Sequence, residues 1–368
     1  MKILHIYTSL DGGGVERFLL NYYKHMDRSK YQFDIVVPGF EIGILEEEFN
    51  KLGANIYHVP RFSSNKIKHV KDVIRIIKNG NYDIAHTHGY KSILALLLTF
   101  IIGIKIRIVH SHMAFENETF LRRIIRLIVT FFSKRLSNVM WSCGIDAGNW
   151  LFGKNSYEKG EFKVIHNAVE TSNFLYNPKI RDKYRKELGI LDTDFVVGNV
   201  ARLSEQKNQK FLLEIFSNLS SNKEIKLFIV GSGELEEELK NLVRDMKLTN
   251  VKFLGSRNDV PNLLMVFDLF ILPSKYEGLP VSLIESQASG LYAISSNSIT
   301  QEVNITNLIK YINLKSGPEI WAKEIINFSK NRPQRETENF LAGTVYDIEL
   351  QAKELESLYT RLEREFIN

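Results

Sequence analysis

Short apolar runs alternate with longer stretches of helical periodicity along nearly the whole chain, and this alternation limits the fold more than any other feature. Strands that all run the same way need long crossovers between them, and a helix is the usual crossover. In the first half, apolar runs at 2–7, 33–37, 55–59, 84–88, 106–110, 138–142 and 162–165 predict strands. Helical patterns at 15–23, 67–78, from Ser92, and at 120–136 lie between them. In the second half the predicted strands are 195–200, 226–230, 251–254, 269–272 and 292–295. The expectation is an α/β protein with two Rossmann-like domains facing a cleft, covering 1–178 and 179–345. Asn177-Pro178 and the charged run KIRDKYRKELG mark the linker and the opening helix of the second domain. A last helical pattern at 348–366, within a segment 346–368, is expected to cross back onto the first domain.

Composition bounds the function. With 368 residues and 44% apolar content the chain can bury two cores, and its net charge of +5 suits an acidic partner such as a nucleotide or an anionic lipid surface. No basic run is studded with aromatics, so nucleic acid is not expected. The single cysteine, Cys143, excludes a disulfide framework and reads as buried packing in a reducing compartment. Met1-Lys2 runs straight into ILHIY, too short and too interrupted by His5 for a signal peptide, and the apolar run 93–104 is too short to span a bilayer. The expected location is the cytoplasm.

The densest chemistry lies in Ser274 to Gly290, SKYEGLPVSLIESQASG. It follows an apolar run closed by Pro273 and reads as a strand, a loop and then a helix from Val281 to Ala288. Glu277 falls on the loop at the strand's carboxyl end and Glu285 one helical turn past Val281, where open α/β sheets bind ligands. A carboxylate on a helix can accept both hydroxyls of a ribose, and free N–H groups at a helix start suit a phosphate. Arg202 and Lys207, in ARLSEQKNQ after the strand FVVGNV, offer a planar fork and a point charge matched to a diphosphate. Gly231-Ser232-Gly233 ends one further strand; without the third glycine of a dinucleotide fingerprint it reads as a tight turn. Gly255-Ser256-Arg257 ends the next and reads nearly equally as a backbone frame for a nucleobase or as a surface loop. Gly12-Gly13-Gly14-Val15-Glu16 opens the first helix in an arrangement suited to phosphate or sugar, though Glu16 also serves the helix dipole.

Two histidine doublets, His86/His88 and His110/His112, end neighbouring strands. They resemble a metal site superficially, without an acidic or cysteine ligand beside them, and imidazoles also bind sugar hydroxyls or satisfy backbone groups. A metal-dependent hydrolase built on these doublets is the alternative function. Asp192-Thr193-Asp194 has metal-binding spacing but precedes its strand, so a capped turn explains it better. Arg122, Arg123, Arg126, Lys134 and Arg135 punctuate an apolar helix across 122–135 with no acid among them; it reads either as an anionic membrane contact or as a core helix with solvated ends.

Taken together, GGVE (13–16), HSH (110–112), ARLSEQKN (201–208), VGSGEL (230–235), FLGSRNDV (253–260), SKYEGLPVSLIE (274–285) and ITNLIKYINL resemble the retaining glycosyltransferases of family four, closest to the bacterial capsular and exopolysaccharide branch. The resemblance implies the two-domain GT-B fold. It also implies transfer of a sugar from a nucleotide diphosphate donor, by preference a UDP-sugar, to a lipid-linked saccharide acceptor at the inner membrane face. By position it assigns the donor diphosphate to Arg202 and Lys207, the ribose to Glu285 and the donor sugar to Glu277. Backbone contacts fall to Gly278, Leu279 and Pro280, with Gly231, Ser256 and Arg257 also on the donor. Gly14 is assigned the diphosphate from the first domain and His112 the sugar, with His110 second in that doublet. No cofactor and no metal are implied, because in this family the leaving phosphate takes the acceptor's proton. His166-Asn167-Ala168-Val169-Glu170 and Tyr292 depart from the commonest family pattern, which bears on loop geometry and donor choice.

Overall fold

The computed structural model describes residues 1–6, 10, 13–113, 120–335 and 337–367, with the backbone alone at 121 and 122. Tyr7, Gly12 and the Arg122 side chain, which figured in the expectations above, lie outside the described residues. The chain divides into two compact units, Met1–Ala168 with Asp347–Asn368, and Val169–Tyr346.

The first unit begins with β1 (Lys2–Ile6), α1 (Gly14–His25), β2 (Gln32–Pro38), α2 (Glu46–Lys51), β3 (Asn55–Val59), α3 (Lys66–Gly80) and β4 (Ile84–His88). It continues with α4 (Ile93–Ile102), β5 (Ile106–Ser111), α5 (Phe120–Leu136), β6 (Val139–Ser142), α6 (Ile145–Phe152) and the two-residue β7 (Lys163–Val164). All seven strands are parallel, in the order β3-β2-β1-β4-β5-β6-β7. Parallel strands are covered on both faces, so their apolar runs are nearly continuous. Ile3, Ile84, Ile106 and Ile108 cluster with Phe18, Leu19 and Tyr22 of α1, while Leu4, Ile6, Val36 and Ala85 cluster with Val73 and Ile77 of α3 and Ala95 and Leu98 of α4.

The second unit carries α7 (Pro178–Leu188), β8 (Phe195–Val200), α8 (Gln209–Ser217), β9 (Ile225–Val230), α9 (Glu236–Asp245), β10 (Val251–Gly255) and α10 (Val260–Val266). There follow β11 (Leu269–Leu272), α11 (Val281–Ala288), β12 (Ala293–Ser296), β13 (Ile309–Ile312) and α12 (Pro318–Asn331). Its parallel sheet has the order β10-β9-β8-β11-β12-β13. The final α13 (Ile348–Phe366) belongs to the first unit, where Ala352, Leu355, Leu358 and Tyr359 join the α1 core.

Local chemistry explains the element ends. Asn177 accepts from the backbone N–H groups of Lys179 and Ile180, Pro178 supplies the first turn of α7, and Gly189 ends it at φ +71°. Arg181 and Arg185 bind Asp268 at 2.5 and 3.3 Å, fixing α7 beside β11. Asp194 accepts from Leu191 N–H at 2.9 Å, so Asp192-Thr193-Asp194 is a capped turn leading into β8. Short α2 and α6, edge strand β13 and α12 are elements that the sequence periodicity did not predict.

In each sheet the strand order reverses beside the first strand of the unit, between β1 and β4 and between β8 and β11. Helices leave such a point toward opposite faces, and the crevice at the carboxyl ends of the two strands is where open α/β sheets take ligands.

Candidate active site

At the switch point of the second unit, the loop after β8 and the loop after β11 are tied together. Lys207 Nζ lies 2.5 Å from Glu277 Oε1, with the side chains 19% and 7% exposed. Gln206 Nε2 donates to Tyr276 O at 2.9 Å and to Glu277 Oε2 at 3.3 Å, and Lys275 N–H donates to Gln206 O. Asn208, in the left-handed region at φ +60°, opens α8 and donates from Nδ2 to Pro273 O at 3.1 Å. The two loops therefore form one structure, with the acid and the ammonium at its centre. A half-buried pair of this kind is strongly destabilised by losing either partner alone.

The start of α11 lies beside this pair. Pro280 is its N-cap, in extended conformation, with no side-chain cap and no acidic residue in the first turn. The positive end of the helix dipole is thus left for an anion. Gly278, Leu279 and Pro280 are buried and line this turn, and Glu285 is half-buried one turn on.

Arg202 is placed differently from Lys207. Its side chain is 73% exposed and its Nε lies 3.2 Å from Glu234 Oε2, on the β9 side of the loop. The glycines explain how these loops approach so closely. A Cβ on Gly231 would lie 2.1 Å from Ala201 O, and one on Gly233 2.2 Å from Leu203 O. Their role here is close backbone packing, reinforced by Leu203 N–H donating to Ser232 O. Ser256 shares a 2.8 Å hydrogen bond with Ser232 Oγ, and Arg257 is held by Asp259 through contacts of 2.8 and 2.6 Å.

In the first unit, Gly14 is the exposed first residue of α1, whose N-cap Gly13 has no side-chain cap. A Cβ on Gly13 would meet the Glu16 carboxylate at 2.6 Å, so the acid folds back over the helix start. His112 follows β5 directly and is 9% exposed.

The histidine doublets join a fifth ring, His5, which the sequence reading did not place in the cluster. His5 pairs in register with His86, and His88 with His110, so all face the same side of β1, β4 and β5. The pattern that could have found it is period-two substitution: Ile3-x-His5, Ile84-x-His86-x-His88 and Ile108-x-His110-x-His112. The rings hydrogen-bond one another: His5 Nδ1 to His88 Nε2 at 3.0 Å, His88 Nδ1 to His112 Nε2 at 2.9 Å, and His86 Nε2 to His110 Nδ1 at 3.1 Å. Tyr359 of α13 meets His86 Nδ1 at 3.0 Å. The trios His5/His86/His88 and His88/His110/His112 each bring ligand-type nitrogens within 4.8 Å, with no carboxylate in either group. Burial lowers the pKa of all five rings, to about 3 for His5 and His112.

Two parallel-sheet α/β units, each with a switch point beside its first strand, have the architecture of the GT-B glycosyltransferase class. The solved structure of Anabaena Alr3699/HepE, crystallised with UDP and glucose, superposes with a TM-score of 0.82 at 19% identity, covering 98% of this chain and 99% of that one. The chain belongs to the group 1 glycosyltransferases: the family Glycosyl transferases group 1 matches residues 180–339, and Glycosyltransferase Family 4 matches 12–173. EpsF of Bacillus subtilis (strain 168) is 32% identical over 368 residues, 97% of this chain and 96% of that protein. The UDP-Gal:alpha-D-GlcNAc-diphosphoundecaprenol alpha-1,3-galactosyltransferase of Escherichia coli is 31% identical over 313 residues, 81% of this chain and 79% of that protein. Membership of a transferase family sets aside the hydrolase reading of the histidine doublets.

The neutral histidine cluster makes stability depend on pH. The unfolded chain protonates these rings near 6.5, whereas folded His5 and His112 stay neutral down to about 3. Their contribution is complete above pH 6.5 and falls with pH below it, by roughly 1.4 kcal/mol per pH unit for each ring that stays neutral. His58 opposes this by one ring: despite partial burial its pKa is raised by hydrogen bonds to Gly39 O and Glu46. Urea melts should show a lower midpoint at pH 5 than at pH 7.5; equal midpoints would contradict the buried neutral cluster.

Proposed function

We propose that this glycosyltransferase moves a sugar from a nucleotide diphosphate, by preference a UDP-sugar, to a lipid-linked saccharide in polysaccharide assembly, with retention of configuration and without a metal. The observation that carries the reading is the Lys207–Glu277 pair beside the uncapped start of α11. A lysine ammonium has three N–H donors; one is directed to Glu277, leaving others for donor phosphate oxygens. Arg202, exposed at the same loop, swings from Glu234 to the diphosphate, where its planar fork is worth more than in a solvated ion pair. Glu277 orients the donor sugar, Glu285 holds the ribose hydroxyls, and the backbone of Gly278 to Pro280 meets the leaving phosphate. Gly231, Ser256 and Arg257 frame the nucleobase. From the first unit, Gly14 is assigned the diphosphate and His112 the sugar, each from the carboxyl end of its own strand.

In the reaction the bond between the anomeric carbon and the phosphate oxygen breaks, and the electron pair leaves with the phosphate. The acceptor hydroxyl oxygen bonds the anomeric carbon on the same face, and its proton goes to that phosphate oxygen. Cations fixed on the phosphate lower the barrier by stabilising the charge that develops there. The UDP seen with HepE and the UDP-Gal and diphosphoundecaprenol acceptor in the Escherichia coli relative's name support the donor and acceptor classes. Assayed with a nucleotide-sugar panel, Lys207→Ala and Glu277→Ala should each lose roughly 100-fold or more in kcat/KM. Full activity in both variants would remove the site.

The same reading places the protein on the cytoplasmic face of the membrane through α5. Phe120, Leu127, Ile128 and Phe131 are 80%, 56%, 52% and 62% exposed, whereas Val129, Ser133 and Leu136 are buried. Arg123, Arg126, Lys134 and Arg135 flank these apolar side chains, so the helix offers apolar area and positive charge together. No helix among the described residues is long and apolar enough to cross a membrane. Flotation with anionic liposomes should recover the protein at low salt and lose it at high salt or with neutral lipid. Recovery indifferent to both would refute the contact.

A further inference from the structure

Of the five clustered imidazoles, only His112 has a role in the reading above, yet it is not chemically separate from two of the others. His112 Nε2 meets His88 Nδ1, and His88 Nε2 meets His5 Nδ1, at 2.9 and 3.0 Å, so the three rings run head to tail. A neutral imidazole carries one N–H and one bare nitrogen. Each link needs one of each. All three protons therefore sit on Nδ1, or all three on Nε2; any mixture sets two N–H groups or two lone pairs against each other.

The two ends of the chain decide between these states. His5 Nε2 and His112 Nδ1 are both buried without a hydrogen-bond partner among the described residues. With the protons on Nε2, an orphan N–H is sealed at His5, which is 0% exposed. With the protons on Nδ1, the deep end is a bare nitrogen and the unpaired N–H lies instead at His112, which is 9% exposed and follows the end of its strand. Either state leaves one buried N–H without an acceptor, and only at the His112 end, which the proposed function gives to the donor sugar, does a bound ligand supply one; that favours the second state. A divalent ion between the rings would instead place two positive charges in a buried group that contains no carboxylate.

We propose that His88 and His5 are positioning residues that fix His112 in the Nδ1–H form, so that it meets the donor sugar as a hydrogen-bond donor to a sugar oxygen. The proposal rests on the reading of His112 as a sugar contact. In full-length protein labelled with 15N-histidine, two-bond correlation spectra identify which ring nitrogen carries the proton, and His112 is assigned by its loss in His112→Gln. Wild-type protein should show His112 as Nδ1–H. His88→Phe, which removes the link, should shift His112 toward Nε2–H or a mixture and lower kcat/KM at least tenfold. His88→Asn, whose amide can donate from near the Nδ1 place, should recover part of that loss, and His5→Phe should loosen the His112 tautomer without touching its direct partner.

An Nε2–H His112 in the wild type would overturn the proposal. So would an unchanged Nδ1–H form in both His88→Phe and His5→Phe, or a stoichiometric metal found by elemental analysis of the purified protein. If the tautomer responds as stated but His112→Gln turns over normally, the coupling stands and the sugar-contact reading fails.

Discussion

The ion pair between Lys207 and Glu277 is the contact on which the site in the second unit depends. Glu277 is 7% exposed, so its charge is held mainly by Lys207 at 2.5 Å and by Gln206. Neither loop could keep its half alone, because a buried carboxylate or ammonium without its partner is strongly destabilising. The pair exists because β8 and β11 are neighbours although α8, β9, α9, β10 and α10 lie between them in the chain. That adjacency is the strand-order reversal itself, which brings together residues seventy positions apart at the place where the sheet opens.

The first unit repeats the principle with different chemistry. There the reversal falls between β1 and β4, and the side chains at the strand ends change from isoleucine to histidine while the helices covering them stay apolar. The imidazoles remain neutral because they are buried, and neutral rings can hydrogen-bond one another. α13 takes part, since Tyr359 both fills the core and bonds His86. The last helix of the chain is thereby tied to the chemistry at the first strands.

Much of this was legible in the sequence. Continuous apolar runs such as FVVGNV and LFIL betray parallel strands buried on both faces, and Asn177-Pro178 marks a helix start through a cap and a fixed φ that need no tertiary context. Edge strand β13 escaped because Lys310 is exposed and the run is four residues long, and α12 because its packing rests mainly on Trp321, Ala322 and Ile325. In the site, sequence position put Arg202, Lys207, Glu277 and Glu285 on loops and a helix at carboxyl ends of strands. It could not show that Lys207 pairs with Glu277 while Arg202 turns to Glu234, since pairing depends on strand order. His5 was hidden for the same reason: only the register of β1 against β4 sets it beside His86. The glycines of VGSGEL read as a tight turn in the sequence, and only the fold shows that a Cβ on either would collide with backbone carbonyls of the loop after β8.

In the proposed site a nucleoside diphosphate is held by the Lys207 loop and the start of α11. Calorimetric titration with UDP and with GDP, on the wild type and on Lys207→Ala and Glu285→Ala, tests it without requiring the acceptor. One site per chain is expected for at least one nucleotide, weakened tenfold or more by either substitution. Equal affinity for that nucleotide in all three proteins, or no binding of either nucleotide by the wild type, would contradict it.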